Sequence, residues 1–211
     1  MGQVNELKDF TRRQLDAAAA LMKIGQDAGM GTADGIRAFL SGELSVSKPA
    51  CRWREQDGVI YFSVTSDGTT GEVWIKRLED KGFCIGDYAK SLLRSPTFKP
   101  TKGVTYKVAI LKGVLFEDSN RIIKKIRDEA DKRKMIRPNA EVACLIGENF
   151  SEEEIKAMGL WWIIVMSGGG PGLLGVDCSD DGRWLRACCD NPDSWWRRGH
   201  GFAFVASQVG T

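Results

Sequence analysis

Residues 160–182 read LWWIIVMSGGGPGLLGVDCSDDG, and two folds compete for them. The seven apolar residues 160–166 have the length and composition of a buried strand. After them, Gly170, Gly172 and Gly175 stand in the spacing G-x-G-x-x-G, which opens a dinucleotide-binding βαβ unit. That spacing has meaning only where a helix comes next and presents its N-terminal N–H groups to a pyrophosphate. After Gly175 the chain instead reads VDCSDDG, a turn sequence without helical period, and the 36 residues beyond that glycine are too few for the missing strands. The stretch is therefore expected to form a strand and a glycine-rich hairpin, in an α+β protein rather than a doubly wound one.

Working outward keeps the same answer. Turn signals recur at 167–172, 179–182 and 190–193, and strands are expected between and after them at 173–178, 183–189 and 202–207. That spacing is expected of a C-terminal antiparallel meander within a mixed sheet. Upstream, Ser151 with Glu154 three residues later predicts a capping box on a short helix. Pro138 is expected to open a helix through Glu141, Val142, Leu145 and Ile146. A longer helix over 117–135 has the stripe Ile122, Ile126 and Ala130. Strands are expected at 59–65 and 104–111, with a short one at 83–85. Between them, helices are expected over 70–81, with Val73, Trp74 and Leu78 inward, and from Asp87 to Leu93. The helices should lie mostly on one side of the sheet.

The first 48 residues differ. Leu7, Phe10, Leu15, Ala18, Leu21 and Met22 recur at helical spacing, and a second short helix carries Ile36, Phe39 and Leu40. This N-terminal helical hairpin, residues 1–48, is expected to dock on a partner or to form a homo-oligomer, with 51–211 as the core domain. The start has no apolar leader, and no apolar run approaches the roughly 18–20 residues that cross a bilayer. The chain is expected to be cytoplasmic, with no membrane association. Six scattered cysteines without C-x-x-C spacing point to free thiols. A zinc set of Cys178, Cys188, Cys189 and His200 is disfavoured because adjacent residues on a strand face opposite ways. No metal and no cofactor are expected.

Charge is unevenly distributed. Residues 50–137 carry nineteen basic and twelve acidic groups, whereas 138–211 carry five and ten. A polyanion would favour the middle of the chain. There the segment 121–137 presents Lys124, Lys125, Arg127, Lys132, Arg133 and Lys134 as a basic surface. Three further places hold candidate chemistry. The turn Ser66, Asp67, Gly68, Thr69 and Thr70 joins a strand to a helix, the layout that receives phosphate, although the P-loop lysine is absent and Thr69 with Glu72 also reads as a capping box. Trp195, Trp196 and Arg197 form a candidate stacking platform. His200 is the single histidine, so any Ser–His or Cys–His dyad must use it.

RGHGFAFVAS (198–207) has the spelling of an RNA-recognition strand, but four residues remain after Ser207, and that fold needs a further helix and strand. It is expected to be the closing strand, with Phe202 and Phe204 on one face and Ala203 and Val205 on the other. The leading expectation is a non-enzymatic binding or adaptor protein that contacts a nucleic acid or acidic protein through its basic middle. The alternatives are a small enzyme or nucleotide-binding protein using the Ser66–Thr70 turn, and a protein-interaction module acting through the N-terminal hairpin.

Overall fold

A computed structural model describes residues 52–206, apart from Gly169 and Asp180. The helical arm expected over 1–48 lies outside the described residues. Among these, eight strands form one mixed sheet and five α-helices pack against it, so the fold is α+β. The strands are β1 (Arg54–Gln56), β2 (Val59–Asp67), β3 (Cys84–Ile85), β4 (Lys102–Lys112), β5 (Trp162–Val165), β6 (Gly172–Ser179), β7 (Gly182–Cys189) and β8 (His200–Val205). The helices are α1 (Gly71–Glu79), α2 (Asp87–Leu93), α3 (Ile123–Lys132), α4 (Glu141–Asn149) and α5 (Glu152–Ala157). Across the sheet the strands run β1-β2-β4-β8-β5-β6-β7-β3. Only β5 with β8 and β3 with β7 are parallel.

The hairpin expected from residues 160–182 is present. β5 and β6 pair antiparallel, and Gly175, which in a dinucleotide fold would let a helix pack close, sits within β6 opposite Ile164. The meander is interrupted at its end. β8 does not join β7; it inserts between β4 and β5, antiparallel to one and parallel to the other. The connection 190–199 therefore has to cross the sheet. It carries Trp196 into the core, and its Pro192 and Ser194 carbonyls accept the Lys124 and Ile123 N–H groups. Two of the unpaired donors at the start of α3 are satisfied by backbone rather than by a capping side chain.

Period-two alternation divides the strands between two cores. Ile60, Phe62, Val64, Val108, Ile110, Ile163, Val165, Val176 and Ala203 pack on a first face, under α1, α2, α4 and α5. Val59, Ala109, Leu111, Ile164, Phe202 and Phe204 pack on the second, under α3. Among the described residues a single helix thus covers the second face, and residues 190–199 complete it with Trp196.

Several boundaries depart from expectation for identifiable reasons. The helix expected from residue 117 begins only at Ile123, because Arg121 is drawn inward, 1% exposed, with φ −87° and ψ 54°. Its guanidinium donates to the carbonyls of Gly113 (2.9 Å), Phe116 (3.0 Å) and Trp196 (3.2 Å) and to Asp118 Oδ1 (2.6 Å). Pro138 does not open α4; the Asn139 side chain accepts the Glu141 N–H, and the helix starts there. Val73 is 54% exposed rather than inward, since Trp74, Ile75 and Leu78 occupy the buried stripe of α1. The capping box at Ser151 and Glu154 is complete. β1 has no counterpart among the expected strands. It folds back onto β2 through Asp57 (φ 51°) and Gly58 (φ 72°), a two-residue turn with both dihedrals in the left-handed region.

Candidate functional site

Where α3 ends, no other described helix covers the second face. α3 has ten residues, which span about 15 Å, whereas the eleven residues of β4 extend about 36 Å. Beyond the helix the β2–β4 ribbon continues with Tyr61, Ser63, Thr65, Thr105 and Lys107 on the same face as buried Val59 and Ala109, and all five are at least partly exposed. Register places Arg54 of β1 opposite Tyr61, and its guanidinium carbon lies 5.1 Å from the ring centre. This is an aromatic ring with a cation stacked upon it.

The end of α3 closes one side of this surface. Arg133, Lys134 and Met135 border a cleft of about 330 Å³ with Arg54, Asp57 and Tyr61. Lys134 adopts φ 57°, which turns the chain sharply out of the helix there. Lys107 lies across from Ser63 in the adjoining ribbon. Among the described residues of the cleft's lining, Asp57 is the one acid against three cations.

The basic residues of 121–137 divide into different roles. Arg127 is pinned to Asp190 at 2.7 Å, both side chains largely buried, so it ties α3 to the β7–β8 connection. Lys132 and Arg133 share Glu129, at 3.7 and 2.8 Å. Lys124 and Lys125 are exposed at the start of α3 and form no ion pair among the described residues. The helix therefore offers its least neutralised charge at its start, whereas at its end two cations share one carboxylate.

The residues of the Ser66–Thr70 turn are drawn into two separate networks. Ser66 is buried, and its hydroxyl accepts the Val104 N–H (3.1 Å) and the Thr101 hydroxyl (2.7 Å). Asp67 accepts the Thr69 N–H at 3.0 Å, and the Thr69 hydroxyl and an Arg77 N–H as well. Hydrogen bonding from the Arg77 guanidinium holds the Asp67 carboxyl down to about 2. Thr70 rather than Thr69 is the N-cap, without a side-chain bond, and Glu72 turns to Arg94 at 2.7 Å, so the expected capping box does not form. The best donors of the turn, the Thr69 N–H and Arg77, are engaged by its own aspartate.

The two adjacent tryptophans part company as strand-like alternation requires. Trp195 is 56% exposed and donates its indole N–H to the Asp118 carbonyl at 2.8 Å. Trp196 is buried, edge-on to Trp162, His200 and Phe202. Arg197 extends over Trp161, with 5.7 Å from guanidinium carbon to ring centre. His200 sits inside this aromatic cage, and burial pushes its imidazole down to about 4. Its Nδ1 accepts the Arg197 N–H at 3.3 Å, and no serine or cysteine bonds it among the described residues. Neutral and enclosed, it packs as part of the core.

Arg54, Tyr61 and Lys107 do not stand out in the sequence. The signal for the first two is Asp57–Gly58, a hairpin turn that folds 54–56 onto the strand bearing Tyr61. No protein-family model, no curated protein and no solved structure matches this chain.

Proposed function

We propose that this protein binds nucleic acid, laying a single strand along the open part of the second face. The observation that carries this reading is the part-exposed ribbon beyond α3, which no described helix covers and where Arg54 stacks on Tyr61 beside Arg133, Lys134 and Lys107. Cations along a groove take the phosphates, and a part-exposed ring accepts a base whatever its identity. Lys124 and Lys125 extend the charge to the far end of α3. The geometry suits binding, with three cations bordering the ring.

Fluorescence anisotropy with a labelled single-stranded oligonucleotide over a range of salt tests this. Binding should weaken linearly on a log–log plot, with a slope of about −0.7 for each phosphate neutralised. The Lys124→Gln and Lys125→Gln variants should each flatten that slope. No binding at low salt, or a flat response, sinks the proposal. Equal competition by poly-glutamate would assign the face to an acidic protein instead.

A further inference from the structure

The glycine-rich loop that closes the β5–β6 hairpin borders a second cleft, on the other face of the sheet. It has a volume of about 280 Å³ and opens between that loop, residues 97–99 and the approach to α4. Alternation along β5 and past its end decides which side chains reach it. Ile163 and Val165 pack on the first face and Ile164 and Met166 on the second, so Ser167 returns to the first. Ser167 is 5% exposed and lines the cleft. Its hydroxyl has no hydrogen-bond partner among the described residues. The hydroxyl oxygen is not sealed off, so it is available to a ligand in the cleft.

The surroundings are cationic. Lys99 stands in the cleft wall, and the Arg137 stem lies over Gly168, with Cδ 3.3 Å from where a Cβ on that glycine would be. Neither cation forms an ion pair among the described residues. The neighbouring carboxylate, Glu141 at the start of α4, is 1% exposed and already occupied. It accepts the Thr101 N–H (2.9 Å) and hydroxyl (2.6 Å) and the Tyr106 hydroxyl (2.7 Å). The apolar part of the wall is Leu92, Phe98 and Leu174. The loop is also held in place: the Tyr88 hydroxyl donates to the Pro171 carbonyl at 3.0 Å. A Cβ at Gly172 would fall 2.6 Å from that Tyr88 oxygen, so only glycine allows the approach.

We propose that this cleft binds a small phosphomonoester carrying a flat apolar group. The phosphate sits at the Ser167 hydroxyl and Gly168, between Lys99 and Arg137, and the apolar group lies on Phe98 and Leu174. Phosphate suits the site better than carboxylate, because its additional oxygens can engage a hydroxyl, the Gly168 N–H and two cations together. The volume lies near the lower edge of ordinary ligand pockets, about 300 Å³, which limits the ligand to about the size of a mononucleotide. This site lies on the opposite face from the Tyr61 surface, so either can fail without the other.

Phenyl phosphate, added to the full chain and followed by calorimetry, is the direct probe. Saturable binding with Kd on the order of 1 mM or tighter is expected, and phenol should not saturate. Ser167→Ala, Lys99→Gln and Arg137→Gln should each weaken binding about tenfold, one charge-assisted hydrogen bond's worth, without lowering the melting temperature. Absence of saturation, equal binding of phenol, or binding that survives all three substitutions overturns the proposal. Amide NMR on the unsubstituted chain gives a second reading. The Gly168 and Gly170 signals should move first as phenyl phosphate is added; shifts confined to other regions overturn it too.

Discussion

The two faces of the sheet are cut from the same strands and finished differently. The first, under four of the described helices, pairs its polar groups with one another. Arg77 bonds both Asp67 and Glu148, and Glu141 collects Thr101 and Tyr106. The second is covered by α3 and the β7–β8 connection, which meet around Arg121, and past the end of the helix no described element covers its ribbon. Coverage decides the difference. A face roofed along its length has to satisfy its polar groups internally, whereas a strand longer than its helix keeps a row available for a partner.

The severest way to break the second face is to remove Arg121. Its guanidinium satisfies three backbone carbonyls at once. Arg121→Met keeps most of the side-chain length but leaves the Phe116 and Trp196 carbonyls without their donor, while Gly113 keeps only the Phe116 N–H. A loss of about 3–5 kcal/mol is expected, read as a lowered urea midpoint with an unchanged slope. A loss below about 1 kcal/mol would mean that the helix and the connection are held together by apolar packing alone.

The next effect is tied to pH and again belongs to the second face. His200 has a folded-state pKa of about 4, below its ordinary 6.5, because it is buried among aromatic rings. The unfolded chain therefore takes up the proton first as pH falls. Stability from this group is complete above pH 6.5 and is lost as pH falls from 6.5 to about 4. The full loss is about 3 kcal/mol. Carboxylates titrate in the lower part of that window, so the measurement is a difference between the wild-type chain and His200→Gln. Wild-type melting temperature should fall more steeply between pH 6.5 and 5, and parallel curves would place the imidazole in contact with water.

Much of this division could be read from sequence, and what could not has a common cause. The hairpin at 160–182, the capping box at Ser151 and the alternation of Phe202 and Phe204 depend on neighbours a few residues apart, and all three are present. Misreadings arise where a distant partner overrides local preference. Arg121 looks like a helical residue until Gly113 and Trp196 offer their carbonyls, and β8 looks like a fourth meander strand until β4 and β5 take it up. The candidate surface is legible in charge but not in shape. Lys124 and Lys125 stand out in a basic segment, whereas Tyr61 acquires significance only through Arg54, seven positions earlier, and through a helix that ends too soon.

The smallest expected effect on stability separates the faces most clearly. Tyr61 is half-buried at the border of the second core, so Tyr61→Leu retains most of its packing, and stability should change by less than about 1 kcal/mol. Oligonucleotide affinity should fall about tenfold, since stacking on an aromatic ring contributes about 1–3 kcal/mol per base. The salt slope should stay as it was, because no phosphate contact is lost. Arg54→Gln should lower affinity by a different route, reducing the slope by about 0.7 while the ring remains. If both substitutions change slope and affinity alike, charge alone holds the strand and the ring is incidental. If Tyr61→Leu leaves affinity untouched while Arg54→Gln does not, the open ribbon is a basic edge rather than a platform.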